Sequence, residues 1–346
     1  MMGEENQNFS YDYDMNYTYY TLDDHFVTLE EHLPFASVIN AVCYSIIICI
    51  SLPGNSFLLW ALLMHEGLKS SADCFLLHLT ASDIIFTFTL VPWTVNHVCG
   101  WIFSEMFCKL SNLGIFLGLY SYMSFLTVMT VHRYIVIVHP VFATSVRNSF
   151  RITHISSVLV WLISAGFSLP EAFFSGTVNV PDGVFCASHY DSMFSELFGY
   201  FTQIIFFFTL PFLVIAFCYG RIGFTIYKSR ITSRNRRNAA CSIFTIVMGF
   251  FVCWTPYNIF LFLYALKILG VHGLQGSGLE KVFEIVYCIT HILAYSHCCL
   301  NPLIHILGGN KFRRYLPWSR CCTWSSQRYR RYTYTSQSSY SGQTHL

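Results

Sequence analysis

Asp83, His132 and Arg133 are polar side chains set inside apolar sequence, in "LTASDIIF" and "VHRYIVIVHP". A charge at mid-membrane costs a few kcal/mol, so each must face a helix-bundle interior, a water-filled cavity or an interface. Such groups can bind an ion, move a proton or contact a partner. A second group, His291, His297, Cys298, Cys299 and His305, is rich in metal-ligand types. Its spacing does not put the five on one helical face, so no metal site is expected. No His-Glu-x-x-His, Gly-x-Ser-x-Gly or Gly-Lys-Ser/Thr pattern is present, and no catalytic residues are assigned. The chemistry on offer is recognition and switching; an enzyme is not expected.

The elements that carry these residues are long and apolar. The chain has 346 residues, 54% hydrophobic and 11% charged. About a quarter would be charged in an average soluble domain. Seven stretches reach the roughly 20 apolar residues that a bilayer crossing requires. They lie near Pro34–Met64, Ala72–Val98, Glu105–Val138, Ile152–Phe174, Phe194–Tyr227, Ala239–Leu269 and Leu279–Gly308. Period-2 alternation is absent, which argues against a barrel. The expected fold is an all-α membrane protein, a seven-transmembrane helix bundle. No cleavable signal peptide is visible, so the first span is expected to act as the insertion signal.

Charge sets the expected orientation. Residues 1–33 carry eight acids, Glu4, Glu5, Asp12, Asp14, Asp23, Asp24, Glu30 and Glu31, and no Lys or Arg. Lys69, Arg147, Arg151, Lys228, Arg230, Arg234, Arg236, Arg237 and many residues after the last span give the opposite side its positive charge. The positive-inside bias therefore predicts an outer N-terminus and an inner C-terminus. An acidic outer tail favours a basic soluble partner through steering, with an ordinary solvated surface as the alternative. Nothing points to nucleic acid.

The tail "NFSYDYDMNYTYYTLDD" interleaves tyrosines with acids. Asn8 and Asn16 head glycosylation sequons. Tyrosines beside Asp are candidates for sulfation, which would add fixed negative charge. Residues 34–308 form the expected membrane domain. Residues 309–346 form a cytoplasmic segment that opens with a basic, aromatic stretch, Asn310–Trp318, expected as a short amphipathic eighth helix on membrane lipid. Cys321 and Cys322 follow it and are candidate palmitoylation sites.

Cys99, Cys108 and Cys186 lie toward the oxidising side, and sequence alone does not choose the pair among them. Cys43, Cys49, Cys218, Cys241 and Cys253 are expected to act as small apolar residues. Pro53, Pro92, Pro211, Pro256 and Pro302 interrupt five spans, and each frees a backbone carbonyl. Asn55 and Asn301 are placed to converge on Asp83.

In this order and topology the motifs resemble the rhodopsin class of G-protein-coupled receptors. They are Gly54-Asn55, Leu79 with Asp83, Cys108 with Cys186, Arg133-Tyr134, Trp161, Pro211 with Tyr219, Cys253-Trp254-Thr255-Pro256, and Asn301-Pro302. The acidic tyrosine tail, Thr89-Leu90-Val91-Pro92-Trp93 and Trp101-Ile102-Phe103 resemble chemokine receptors. "LYSYMSFLTVMTVHRY" and "LAYSHCCLNPLI" are most similar to those of XC type.

The resemblance implies a plasma-membrane receptor that binds a basic chemokine, activates a Gi-type G protein, and drives chemotaxis and calcium signalling. It implies a Cys108–Cys186 disulfide. Sulfated tyrosines among Tyr11, Tyr13, Tyr17, Tyr19 and Tyr20 would grip the chemokine body. The ligand N-terminus would enter near Trp93, Tyr257 and His291. Trp254 would sense insertion, and motion about Pro256 would open the inner face to the G protein at Arg133. His132, Tyr134, Tyr219, Pro302 and His305 complete the implied coupling set, with Asp83 and Asn301. Phosphorylation of the Ser and Thr residues between Thr323 and Thr344 by receptor kinases would recruit arrestin.

Several residues depart from the family pattern. The tail and the loop from Lys267 to Lys281 lack the cysteines of a usual second disulfide. His291 stands where many members have Glu, and Pro92 is one residue nearer Trp93 than usual. Tyr122 replaces a small hydroxyl near Asp83, which counts against a sodium ion there. His305 replaces the tyrosine of Asn-Pro-x-x-Tyr. His132 stands where an Asp would pair with Arg133; a histidine with its ordinary pKa of about 6.5 is mostly neutral at cytosolic pH, so a weaker resting lock is expected. His132 and His305 keep open a receptor that scavenges chemokine without G-protein coupling; a small-solute transporter is a third alternative from another class, although the sequence shows no duplicated set of spans.

Overall fold

The computed structural model describes residues 34–308, apart from 69, 140–149, 181–182, 229–233 and 275–276. Helix α1 spans Pro34–Ala61 and runs on into a π-helical turn, Leu62–Glu66. It is followed by α2 (Ser71–Cys99), α3 (Glu105–Val138) and α4 (Phe150–Phe173). An antiparallel hairpin comes next, β1 (Ser175–Val180) and β2 (Gly183–Ser188), with Thr177 opposite Cys186. This short hairpin was not among the elements expected from the sequence.

Helix α5 (Met193–Ile204) passes through a π-helical turn (Ile205–Thr209) into α6 (Leu210–Lys228). Helix α7 covers Arg234–Ile268. Helix α8 (Ser277–Tyr295) continues through a 3-10 turn (Ser296–Cys299) into α9 (Leu300–Gly308). These elements make seven helical stretches long and apolar enough to cross a membrane, each within several residues of its expected place.

Helix starts follow capping chemistry. Ser70, Ser104 and Ser192 accept hydrogen bonds from the backbone N–H groups of Asp73, Phe107 and Ser195 at the heads of α2, α3 and α5. The bundle core is aromatic and sits between α2, α3, α7 and α8, around Phe86, Tyr122, Phe125, Phe250 and Trp254. The outer faces are apolar too: Phe88, Leu162, Val252 and Ile289 are each more than 60% exposed. A water-facing surface would not carry so many large apolar side chains around its girth; lipid is the solvent that suits them.

Proline spacing explains the irregular turns. A helical proline leaves the carbonyl four residues earlier without its N–H partner. Pro211 follows the π turn, and Pro302 follows the 3-10 turn. The carbonyl that Pro302 frees belongs to Cys298, and it accepts from Asn55 Nδ2 at 2.9 Å and Ser51 Oγ at 3.2 Å. Neighbouring Gly54 lets α1 approach, since a Cβ there would lie 2.6 Å from Pro302 Cβ. Pro53, Pro92 and Pro256 lie inside helices as expected, and Pro170 inside α4 adds one that the sequence reading left out.

Candidate functional site: a cavity linked to a buried polar centre

The hairpin caps one end of the bundle. Cys108 at the start of α3 is bonded to Cys186 on β2, with Cα atoms 5.7 Å apart. Cys99, the third candidate, is free and exposed. The Cys186 N–H donates to Asn96 Oδ1 of α2 at 3.3 Å, and Asn112 of α3 donates to Ser175 Oγ of β1 at 2.6 Å. The hairpin is therefore pinned to α2 and α3 by one covalent bond and two polar contacts.

Beneath it lies a cavity of about 100 Å³. A cavity of that size takes the end of a chain and not a folded domain. Trp93, Tyr257 and His291, the three pocket residues expected from the sequence, all line it. So do Tyr44 of α1, Glu171 of α4, Tyr190, and Tyr287 and Tyr295 of α8. The sequence reading missed these five. Glu171 had a signal, an acid directly after Pro170 in an apolar run. The tyrosines had none, because nothing marks which face of an apolar helix lines a cavity.

His291 is tied into the aromatic wall. Its Nδ1 is 2.8 Å from the Tyr44 hydroxyl, and its ring lies 3.9 Å from Tyr295 and 5.0 Å from Tyr287, centre to centre. Glu171 has a different setting: one carboxylate oxygen accepts from the Tyr190 hydroxyl at 2.8 Å. The cavity wall thus combines tyrosine faces with one carboxylate.

Trp254 is buried directly below. Its ring meets Tyr257 at 5.7 Å and Tyr295 at 6.4 Å, and both of those line the cavity. On its other side Trp254 meets Phe250 at 5.9 Å and His297 at 5.3 Å. His297 in turn contacts Phe86 and Tyr122. An unbroken chain of packed rings therefore runs from the cavity to the middle of the bundle.

The polar centre lies there. Asn301 donates to Asp83 Oδ2 at 2.6 Å, which joins α9 to α2. Asn55, also expected at Asp83, instead bonds Ser51 and the Cys298 carbonyl, so only one of the two asparagines reaches the acid. Ser51 and Thr87 are 2.6 Å apart and extend the network between α1 and α2. The surroundings fit a sodium ion poorly. Tyr122 and His297, fully buried with ring centres 5.0 Å apart, bring bulk where a hydrated cation needs room. The His/Cys group of the last span is dispersed. His291 lines the cavity, while His297 and Cys298 are buried in the core, and His305 is half-buried in α9.

Arg133 lies at the opposite end of the bundle. Among the described residues it makes no ion pair within 4 Å, although Asp73 of α2 and Tyr219 of α6 are electrostatic neighbours. His132 packs edge-on against Phe75 at 5.8 Å. Tyr134 reaches His139 at 3.0 Å, and Tyr219 packs on Phe244. Trp161 donates to His78 Nδ1 at 3.3 Å, which fastens α4 to α2. The expected sites Tyr11, Tyr13, Tyr17, Tyr19, Tyr20, Asn8, Asn16, Cys321 and Cys322 lie outside the described residues, as does the expected eighth helix.

Comparison with known proteins agrees with this geometry. The family described as 7 transmembrane receptor (rhodopsin family) matches residues 54–305. Chemokine XC receptor 1 of Mus musculus is 34% identical over 285 residues, covering 82% of this chain and 83% of its own length. The Homo sapiens counterpart is 34% identical over 285 residues, covering 82% of this chain and 81% of itself. C-C chemokine receptor type 3 of Cavia porcellus is 33% identical over 278 residues, covering 79% and 76%. With seven spans, a cavity at the hairpin end and an arginine at the other, the chain belongs to the rhodopsin family of seven-transmembrane receptors, among the chemokine receptors, and is a receptor rather than an enzyme.

Proposed function

We propose that this protein is an XC-type chemokine receptor of the plasma membrane that activates a Gi-type G protein, driving chemotaxis and calcium signalling. Its N-terminal tail and hairpin end face outward and its C-terminus faces the cytosol. The observation that carries the reading is the ring path from the cavity through Tyr257, Tyr295, Trp254 and His297 toward the Asp83–Asn301 contact. Only a ligand that favours one of two packings can shift their populations. A peptide end pressing on Tyr257 and Tyr295 acts on Trp254 by contact. Trp254 precedes Pro256 in α7, where a proline lowers resistance to bending. Bending there moves the end of α7 near Tyr219 and opens the face around Arg133 to a G protein.

The acidic tyrosine tail supplies attraction for a basic chemokine body, strengthened by sulfation of its tyrosines and sited beside glycans on Asn8 and Asn16. Palmitate on Cys321 and Cys322 holds the segment after the last span at the membrane. Kinase phosphorylation of the Ser/Thr-rich end recruits arrestin. A second reading, chemokine scavenging without coupling, is favoured by His132 and His305, which change two inner-end positions.

The test is expression in cells challenged with an XC-type chemokine. Binding, G-protein dissociation and cAMP suppression together are the expected result. Binding and internalisation without dissociation would establish scavenging, and no binding by any chemokine of a broad panel would overturn both readings.

A further inference from the structure

We infer that Gln203 of α5 reads the backbone of the ligand's inserted chain end, pairing its carboxamide with the N–H and C=O of one extended peptide residue. The inference rests on the chemokine-receptor reading above and adds the residue and the ligand group it recognises. Three carboxamides line the cavity: Asn96, Asn112 and Gln203. Two are spent on the hairpin, since Asn96 Oδ1 accepts from the Cys186 N–H and Asn112 Nδ2 donates to Ser175 Oγ. The third has no such duty. The Gln203 side chain makes no hydrogen bond among the described residues, and the residue is only 7% exposed. Buried polar side chains are normally paired, because an amide closed off from water without a partner is costly. The rule holds one turn earlier on α5, where the Tyr200 hydroxyl donates to Glu196 Oε1 at 2.8 Å.

Gln203 stands just before the π turn Ile205–Thr209. Phe207, inside that turn, stacks on Tyr120 with ring centres 3.8 Å apart. The wider turn shifts the phase of the helix, so Gln203 keeps to the cavity while Phe207 keeps to the core. Its neighbours Tyr200 and Ile204 pack in one cluster with Tyr257, the cavity ring that meets Trp254. A chain held at Gln203 is therefore held beside the start of the ring path.

A carboxamide carries two donor hydrogens and an acceptor oxygen. An ammonium would use only the acceptor, and a carboxylate only the donors. An extended peptide residue uses both at once, because its N–H and C=O point to the same side, as in a hydrogen-bonded pair of an antiparallel ladder. Such pairing is blind to the ligand's side chains and fixes how deep its chain goes. A ligand that fills the cavity shuts Gln203 off from water, so it supplies these bonds or loses affinity.

The experiment removes each half of the pair separately. The probe is the chemokine that binds in the assay above, made by chemical ligation, with an ester replacing one backbone amide at a time among its first residues. An ester lacks the N–H and keeps the shape of the chain. Receptor forms are the native chain and Gln203→Met, which keeps the length and drops the amide, with surface display measured by an epitope tag. One ester position should weaken binding about five- to tenfold on the native chain and about twofold or less on Gln203→Met. Gln203→Met should itself bind the all-amide ligand about five- to tenfold more weakly. Its melting temperature in detergent without ligand should stay level or rise, because the unpaired amide is gone; a glutamine with only a structural role would lower it.

Equal affinity of both receptor forms for the all-amide ligand overturns the inference while leaving the receptor reading intact. So do ester losses that are the same on both forms, or a melting temperature that falls with the affinity. If Gln203→Met does not reach the surface, Gln203→Asn replaces it, because it withdraws the amide by one methylene at equal polarity, and the same ester comparison decides. A chain that binds no chemokine at all overturns the receptor reading, and this inference with it.

Discussion

His132 changes what the neighbouring arginine can do at rest. An aspartate in its place would supply a charge one residue from Arg133, whereas the imidazole packs on Phe75 and offers none. Arg133 keeps Asp73 of α2 as a more distant electrostatic neighbour. His132→Asp is therefore expected to lower ligand-independent cAMP suppression, with surface display unchanged. Basal activity that stays level or rises would refute a missing resting restraint. Asn301 is the second decisive residue. Asn301→Ala removes the donor to Asp83 and leaves a buried carboxylate short of a partner, a change of about 1–3 kcal/mol. Chemokine binding should persist while G-protein dissociation falls several-fold; a parallel loss of both would point to simple misfolding.

At the scale of elements, the prolines matter through the carbonyls they free. Asn55 and Ser51 of α1 share the Cys298 carbonyl next to Pro302, so α1 acts as a splint for the turn between α8 and α9. Asn55→Ala is expected to cost about 1 kcal/mol, read as a lower melting temperature of the purified receptor in detergent. Gly54→Val should cost more, because its side chain meets Pro302 at 2.6 Å from the first carbon onward. The hairpin is the other element with a defined duty. Cys186→Ser cuts its covalent link to α3, leaving the two polar contacts to α2 and α3. Chemokine affinity is expected to fall at least about tenfold, since a wandering hairpin must be ordered again on each binding event. Unchanged affinity would show that the polar contacts suffice.

At the scale of the whole molecule, the charge division predicts how binding responds to salt. The first 33 residues carry eight acids and no Lys or Arg, so attraction for a basic partner acts over distances that salt screens. Raising ionic strength from about 0.05 M to 0.5 M should slow chemokine association by an order of magnitude and change dissociation less. Replacing Tyr11, Tyr13, Tyr17, Tyr19 and Tyr20 together by Phe should flatten that salt dependence if sulfation supplies part of the charge.

Much of this was legible along the chain. Seven apolar runs, the in-run Asp83 and Arg133, and the prolines each stand out locally, because membrane solvation leaves few alternatives for a span of that length. Trp93, Tyr257 and His291 were implied by the family resemblance and not by any local signal, and all three line one cavity. What folding alone decided is which faces turn inward together. Asn301 and Asp83 are 218 positions apart, and nothing local says that Asn301 reaches the acid while Asn55 turns to the Cys298 carbonyl. Glu171 reads as another outer acid in the sequence and becomes the one carboxylate among the described residues of the cavity only when α4, α5 and the hairpin close around it. The physical reason is rotational: apolarity commits a helix to the membrane, but the angle at which each face meets its neighbours is set by packing among all seven.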